Sequence, residues 1–478
     1  MIRRAAIVLL CLAFVTIVFA QQRPDRSRPP SPGPTPQLRL PKIEKRALSN
    51  GVPVWFVETH EVPLVQVNVV VMAGNGDDPP DAFGLASLTA AMLDEGAGNR
   101  SALELADSAE FLGAVLSTAG TFDATNIRLS VPVARLSEAL PILSDVILRP
   151  TFPEKELARL REERLTALIQ ARDDASAVAG MAFSRVVFGS SHRYGTGPTG
   201  TEASLKAFTP QRLKDFHAAM YRPNNATFIV VGDMTPNTAL PLLERNFGAW
   251  RASGTVSRAS MPAVSPPERQ VVIVDMPSAA QSQIRIGGIG VPRSTADYFP
   301  LLVLNTILGG SFTSRLNQNL REEHGYSYGV SSRFDMRRFA GPFLAGGGVQ
   351  TDKTSEALRE FFNELNGIVA KPVGAAELEK AKNYIALGYP GDFETIGDLS
   401  ARLEEMVVYG LPTDYFERYI PNVLSVTADA VTKAASTYVQ PQKFVVVVVG
   451  DRKVIESGIR ALNLAPIKVM TVDEVVGK

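Results

Sequence analysis

The sequence predicts an α+β protein built from two similar halves, each with a mainly antiparallel sheet covered by helices. The first reason is length, because 478 residues exceed what one compact core usually accommodates. The second is a repeat: an apolar, valine-rich run ends in Gly-Asp at 228–233 and again at 446–451, so that 218 residues separate Gly232 from Gly450. Strands and helices are mixed within each half without regular alternation, which argues against a doubly wound parallel sheet.

The elements of the first half follow from local signals. Residues 43–73 form a strand group interrupted at Asn50-Gly51, a pair that strongly favours a hairpin turn. A final strand at 225–232 leads into a helix that starts at Thr235-Pro236, because threonine caps a helix and proline suits its first turn. Between them the pattern predicts, in order, helices at 82–95 and 102–112, a strand pair at 114–132, and helices at 135–148, 153–173 and 209–220.

The second half repeats this order. Moving the helix start at Gly84 forward by 218 residues reaches Leu302, which lies in a stretch predicted to be helical, 298–308. An apolar strand and a polar turn precede each of these helices, with the strands at 65–72 and 284–289. The sequence therefore predicts two homologous domains at 42–251 and 269–465, a Ser-, Ala- and Pro-rich linker at 252–268, and a tail at 466–478.

The N-terminus carries an export signal. Arg3 and Arg4 precede an apolar run that ends at Ala20, so residues 1–20 are interpreted as a signal peptide with cleavage after Ala20. An uncleaved membrane anchor is the alternative, although the run is short for a membrane-spanning helix. Residues 21–41 are rich in proline and are expected to form a tether.

The composition limits the partners, the catalytic groups and the cellular compartment that can be expected for this protein. Lys and Arg together number 49, as do Asp and Glu, so the net charge gives no reason to expect nucleic acid as a partner. Cys11 is the only cysteine and lies within the signal, which excludes disulfides and a thiol nucleophile from the mature chain. A cysteine-free exported chain fits a bacterial periplasmic or secreted protein, with no stable membrane anchor after signal cleavage.

The most informative motif opens the helix at Gly84, where the chain reads G-L-A-S-L-T-A-A-M-L. On a helix, positions 87 and 91 lie one above the other, with position 90 beside them. An inverted zinc-peptidase motif, H-x-x-E-H, would place two ligands at 87 and 91 and a general base at 90. These positions hold Ser87, Ala91 and Ala90, none of which can bind zinc or activate water.

The surrounding letters resemble the insulinase, pitrilysin and mitochondrial processing peptidase family, whose helix reads roughly G-x-A-H-x-x-E-H-M. The resemblance implies a third ligand, a glutamate seven residues after the Glu of an E-R pair. The matching pair is Glu163-Arg164, and the implied ligand position holds Gln170, a poor zinc ligand. Because every ligand position and the base are replaced together, we expect no metal and no cofactor in this chain.

The same resemblance implies two domains that face each other like a clam shell, and a second signature, L-R-x-x-x-G-x-x-Y. Residues 320–330 read L-R-E-E-H-G-Y-S-Y-G-V and supply its arginine and tyrosine as Arg321 and Tyr328. In the family this pair faces the zinc site of the opposing domain and contacts substrate backbone. A guanidinium can hold peptide carbonyls, and a phenol can donate to a developing oxyanion. The alternative is structural: Arg321 at a helix C-terminus and Tyr328 as a packed aromatic.

The chain therefore looks like a non-catalytic, substrate-orienting subunit of a two-subunit zinc endopeptidase. Its expected partners are a homologous zinc-bearing H-x-x-E-H chain and peptide or unfolded substrates, which would add to a sheet edge. The alternative is a catalytically inactive scaffold or peptide-binding protein without proteolysis. A stand-alone hydrolase with an unrecognised site is a further alternative, and the loss of every zinc residue argues against it.

Overall fold

The computed structural model describes Gly33 and residues 41–251, 254–258 and 260–477. The predicted signal peptide and most of the predicted tether lie outside the described residues. From residue 41 onward the described chain belongs to one compact unit. No helix in the described ranges has the length and apolar character needed to cross a membrane.

The first half is a six-stranded sheet with helices around it. In the sheet order β1-β2-β8-β3-β7-β6, only the β2–β8 pair is parallel. In chain order the elements are β1 (Glu44–Ala47), β2 (Pro53–Glu58), β3 (Leu64–Val71), α1 (Leu85–Ala91), β4 (Gly96–Ala97), β5 (Arg100–Ser101), α2 (Ala102–Phe111), β6 (Val115–Gly120), β7 (Thr125–Pro132), α3 (Leu136–Leu148), α4 (Glu154–Gln170), α5 (Ala175–Phe188), α6 (Glu202–Ala207), α7 (Pro210–Met220), β8 (Ala226–Gly232) and α8 (Pro236–Phe247).

The second half contains the second six-stranded sheet, in the order β11-β12-β10-β13-β9-β14. Two π-helical turns, Thr306–Gly310 and Gln318–Glu323, continue α9 and α10. The elements are β9 (Val271–Asp275), β10 (Gln281–Ile289), α9 (Tyr298–Asn305), α10 (Arg315–Asn317), β11 (Val330–Phe334), β12 (Pro342–Gln350), α11 (Thr354–Ala370), α12 (Ala375–Gly388), α13 (Ile396–Tyr409), α14 (Tyr415–Ser425), α15 (Ala428–Tyr438), β13 (Val445–Gly450), α16 (Arg452–Ala461), β14 (Ile467–Thr471) and α17 (Val472–Val476).

The two halves have the same topology, and the predicted fold class is confirmed. Five strands correspond in order, with β2, β8, β3, β7 and β6 matched by β9, β13, β10, β12 and β11. Helix α7 and helix α15 begin 218 residues apart, which is the spacing of the sequence repeat. The edges differ, because antiparallel β1 borders the first sheet and parallel β14 borders the second.

Each half lends one helix to the sheet of the other half. Helix α5 of the first half packs against β13 and β10 of the second sheet, and α13 of the second half packs against β8 and β3 of the first. Val178 and Phe183 of α5 therefore share a core with Val447 of the second sheet. This mutual covering closes the halves on each other and confirms the clam-shell arrangement.

The sequence prediction and the structure differ most clearly at three places. The helix predicted at 82–95 is limited to Leu85–Ala91, because Gly84 adopts φ 92° in the left-handed region and a short hairpin follows the helix. Helix α5 is absent from the prediction, since its sequence, rich in alanine and other small residues, shows little amphipathic pattern. The predicted tail at 466–478 contains β14, which pairs in parallel with β9.

Candidate functional site

Helix α1, which carries the degenerate zinc motif, is fixed by a long-range cap. The buried carboxylate of Asp78 accepts hydrogen bonds from the backbone N–H groups of Gly84 (2.8 Å) and Ala86 (2.8 Å) and from the Asn75 amide (2.9 Å). Burial raises the pKa of Asp78 to about 7. The helix start is therefore anchored by a group that lies six residues before it.

Along α1, positions 87, 90 and 91 lie where the sequence places them, on one side of a single short helix. Ser87 donates to the carbonyl of Pro198 at 2.5 Å, and Ala90 is completely buried. Strand β6 packs directly over them, because a Cβ on Gly120 would lie 3.1 Å from Ser87 Cα. These residues form a tightly packed contact.

The side chain that reaches Ser87 from helix α4 is Arg164. Its guanidinium donates to Ser87 Oγ at 2.9 Å and to the Ser87 carbonyl at 3.0 Å. Burial lowers the pKa of Arg164 to about 10, and nothing in the described ranges forms an ion pair with it. A permanent cation thus contacts the residue that occupies the first ligand position.

Gln170, in the implied third ligand position, lies elsewhere. It is the exposed last residue of α4 and makes no side-chain hydrogen bond to α1 within the described residues. The structure brings together Ser87, Ala90 and Ala91 and adds Arg164, but it does not bring Gln170 to them.

These residues do not fit zinc. A zinc site needs three or more imidazole, thiolate or carboxylate ligands, whereas this place offers a hydroxyl, two methyl groups and a guanidinium. Across residues 41–251, 254–258 and 260–477, no three His, Cys, Asp or Glu side chains are grouped so that they could hold a metal ion. The residues at this place therefore supply no zinc chemistry.

Arg321 and Tyr328 lie in the second half, on either side of the turn before β11. Arg321 is in the π-helical turn, with its guanidinium 4.3 Å from the centre of the Phe312 ring and 3.4 Å from Glu322. Tyr328 is 89% exposed, which excludes the packed-aromatic alternative. In the described chain neither residue forms a hydrogen bond or ion pair with the first half.

A cavity of about 720 Å³ lies between the halves. Its walls include Phe183 of α5 and Pro198, the residue that binds Ser87. On the other side it is lined by Gly329, which follows Tyr328, and by the inner face of the second sheet. We call this cavity the chamber.

The geometry defines a class: a duplicated α+β peptidase-like fold that closes around a chamber and has lost its metal site. The comparisons agree, because a family model described as insulinase (peptidase family M16) matches residues 54–185 and one described as peptidase M16 inactive domain matches residues 207–385. The chain belongs to the M16 peptidase family, as a member without the zinc-binding residues.

Relatives and solved structures extend over most of the chain. The uncharacterized zinc protease YmxG of Bacillus subtilis is 25% identical over 345 residues, covering 71% of this chain and 82% of the relative. The non-peptidase homolog YmxG of Helicobacter pylori is 21% identical, covering 84% and 92%. The crystal structure of a peptidase M16 inactive domain from Pseudomonas fluorescens superposes with a TM-score of 0.80 at 26% identity, covering 85% and 98%.

Sequence reasoning missed the residues that give this site its charge. The sequence identifies Arg164 only as the second residue of the E-R pair. Its place on α4, six residues before the implied ligand position at Gln170, is the feature that could have pointed to it. The chamber arginines, Arg285 and Arg333, carry no motif, and only the pairing of β10, β12 and β11 brings them to one face.

Proposed function

We propose that this chain is the non-catalytic, substrate-orienting subunit of a two-subunit zinc endopeptidase, and that a homologous H-x-x-E-H chain supplies the metal. The substrates are peptides or unfolded segments, and the location is the bacterial periplasm, as the signal-like N-terminus and the cysteine-free body suggest.

The observation that carries the proposal is the exposure of Tyr328. Large side chains that are exposed without a packing role are frequently used in binding. Tyr328 has an exposed phenol and is followed by Gly329, which lines the chamber, and Arg321 lies in the preceding helical segment. The pair is thus available to a substrate or a partner, whereas the metal-site positions of the same chain are packed shut around Arg164.

Two further features support peptide handling. Strand β6 is an edge strand that pairs only with β7, and Val115 at its start is 67% exposed. An exposed edge can accept an extended peptide through main-chain hydrogen bonds. The chamber, whose lining includes Phe122 two residues after β6, provides space for such a peptide.

Co-expression with a zinc-bearing relative tests the proposal. We expect the two chains to co-elute in size-exclusion chromatography, and we expect cleavage of an unfolded peptide only by the mixture. The chain alone should neither cleave peptide nor retain stoichiometric zinc after dialysis against a weak chelator.

If the relative is fully active alone and never co-elutes with this chain, the two-subunit proposal is wrong. An inactive scaffold or a peptide-binding protein without proteolysis would then describe this chain better. A tightly bound zinc in the isolated chain, lost together with activity on chelation, would contradict both the two-subunit proposal and these non-proteolytic alternatives.

A further inference from the structure

The inner face of the second sheet carries two cations at the floor of the chamber. Arg285 on β10 is directly opposite Gly346 on β12, and Gly346 is opposite Ser331 on β11. Arg333 lies two residues further along β11, on the same face as Ser331. Gly346, between Arg285 and Ser331 in this row, carries no side chain.

Neither cation has an acidic partner within ion-pair distance. Arg285 donates only to neutral oxygens, those of Ser176 (2.8 Å), Ile284 (2.9 Å) and Gln283 (3.3 Å). Arg333 forms no ion pair in the described chain and is close enough to contribute to lowering the pKa of Arg285, after the larger effect of burial.

The nearby carboxylates of Asp335 and Asp174 make hydrogen bonds to other groups. Asp335 pairs with Arg337, whose guanidinium also lies 3.8 Å from the centre of the Phe122 ring. Asp174 favours the charged form of Arg285 from beyond ion-pair distance, but its carboxylate caps α5 by accepting from Ser176 N at 2.8 Å. In the described chain, therefore, neither Arg285 nor Arg333 has an ion-pair partner.

Two like charges that face one cavity repel each other, and a partly buried guanidinium without a counter-charge is poorly solvated. A carboxylate between them would relieve both costs, since guanidinium groups bind carboxylates with short, charge-assisted hydrogen bonds. Gly346 and Gly348 of β12 line the chamber and have no side chain that would keep a peptide backbone away from the floor.

We infer that the chamber selects acidic peptides, and that Arg285 and Arg333 bind a side-chain carboxylate of the peptide. This inference rests on the proposed role in peptide handling and specifies the substrate class. It gives the non-catalytic chain a part in specificity as well as in orientation.

Fluorescence anisotropy on the full mature chain tests the inference. The probes are a short labelled peptide with glutamate at alternate positions and the same peptide with glutamine in their place. We expect the glutamate peptide to bind about tenfold more tightly or better, as for hydrogen bonds to charged groups. The preference should shrink at high salt.

Matched variants locate the effect. Arg333→Gln changes an exposed side chain and should remove most of the preference without affecting folding. Arg285→Gln should act in the same direction. Arg245→Gln, on the exposed surface of α8, is the control and should keep the wild-type preference.

Equal binding of the two peptides, or a preference unchanged in Arg333→Gln, would overturn the inference. Inorganic phosphate that competes as tightly as the glutamate peptide would also overturn it, because the site would then be one for small anions. These results leave the two-subunit proposal standing, which fails instead when the zinc-bearing chain neither co-elutes nor depends on this chain.

Discussion

At the residue scale, the place where the family binds zinc is occupied by a side chain of this protein, that of Arg164. Ser87 accepts from the guanidinium through its hydroxyl and its carbonyl, so the loss of histidine at this position is coupled to a contact that α1 and α4 now share. The positive charge of this side chain also opposes a divalent cation at short range.

This arrangement predicts that restoring the motif will not restore the metal. The variant Ser87→His, Ala90→Glu, Ala91→His and Gln170→Glu should bind no stoichiometric zinc, because Arg164 contacts Ser87, whereas Gln170 is exposed and makes no hydrogen bond to α1 in the described chain. Metal analysis after dialysis measures this. One zinc retained per chain would show that α4 can shift to supply its carboxylate.

A substitution at Tyr328 can distinguish an effect on turnover from an effect on stability. Tyr328→Phe removes one exposed hydroxyl, so the free energy of unfolding should change by less than about 0.5 kcal/mol. If the hydroxyl donates to the developing oxyanion, turnover by the mixed complex should fall roughly a hundredfold.

The matched variant is Arg321→Ala, which should also weaken substrate binding because it removes several donors and a charge. Both variants should still co-elute with the partner. Unchanged turnover in Tyr328→Phe would mean that the pair takes no part in the reaction.

Asp78 predicts a pH dependence of stability. Its pKa in the folded chain is about 7, above the ordinary value of 3.8, so between these values the folded state holds a proton that the unfolded state releases. The resulting stability is fully present below about pH 4 and is lost as pH rises to about 7, by up to about 4 kcal/mol.

Urea unfolding at pH 5 and pH 8 measures this effect. Asp78→Asn should show a smaller loss of stability between the two pH values than the wild type. Asp81→Asn, at a highly exposed carboxylate, is the control and should follow the wild type. If the unfolding free energy changes equally between pH 5 and pH 8 in all three proteins, a group other than Asp78 takes up the proton.

At the element scale, one carboxylate of α13, that of Glu404, makes several polar contacts with the first sheet. Glu404 accepts from Asn126 at 2.5 Å and pairs with Arg128 at 2.6 Å, on a sheet face where Asn126 is almost completely buried. Removing a carboxylate that serves several buried groups leaves all of them without a partner.

Glu404→Ala should therefore lower the free energy of unfolding by roughly 3 kcal/mol. The control is Glu417→Ala, an exposed carboxylate on α14 with no ion pair in the described chain, which should have little effect. Chemical denaturation compares the two. Similar small losses in both would show that the apolar contacts alone hold α13 in place.

Elements with local signals could be predicted from the sequence, and those stabilised by distant contacts could not. The turn at Asn50-Gly51 and the helix after Thr235 appear where their residue preferences place them. Helix α5 has small side chains because it packs on the sheet of the other half. Similarly, the positions on α1 could be derived from helical spacing, whereas the contact to Arg164 depends on how α4 crosses α1.

At the scale of the whole molecule, the halves depend on each other for folding. Without the second half, α5 would expose Val178 and Phe183, and the first sheet would expose the face that α13 covers. We expect a fragment of residues 42–251 to aggregate or to lack a cooperative transition, and co-expression with residues 269–478 to restore a soluble complex.

Thermal unfolding monitored by circular dichroism measures the outcome. The intact chain should show a single transition, because neither core is complete alone. A sharp transition from the first fragment in isolation would show that the helix exchange adds little to its stability.

The reciprocal covering also bears on how the chain arose. Equivalent helices cover equivalent strands of the opposite half, so the contacts of α5 with β13 and β10 have counterparts in those of α13 with β8 and β3. A twofold-symmetric dimer of half-length subunits has this pattern, with the same patch used on both sides. The molecule thus has the form of an ancestral homodimer whose two copies were joined end to end. Once both copies lay on one chain, each could change independently, so that the residues at 87, 90 and 91 of one half and at 321 and 328 of the other were no longer tied to one another by symmetry.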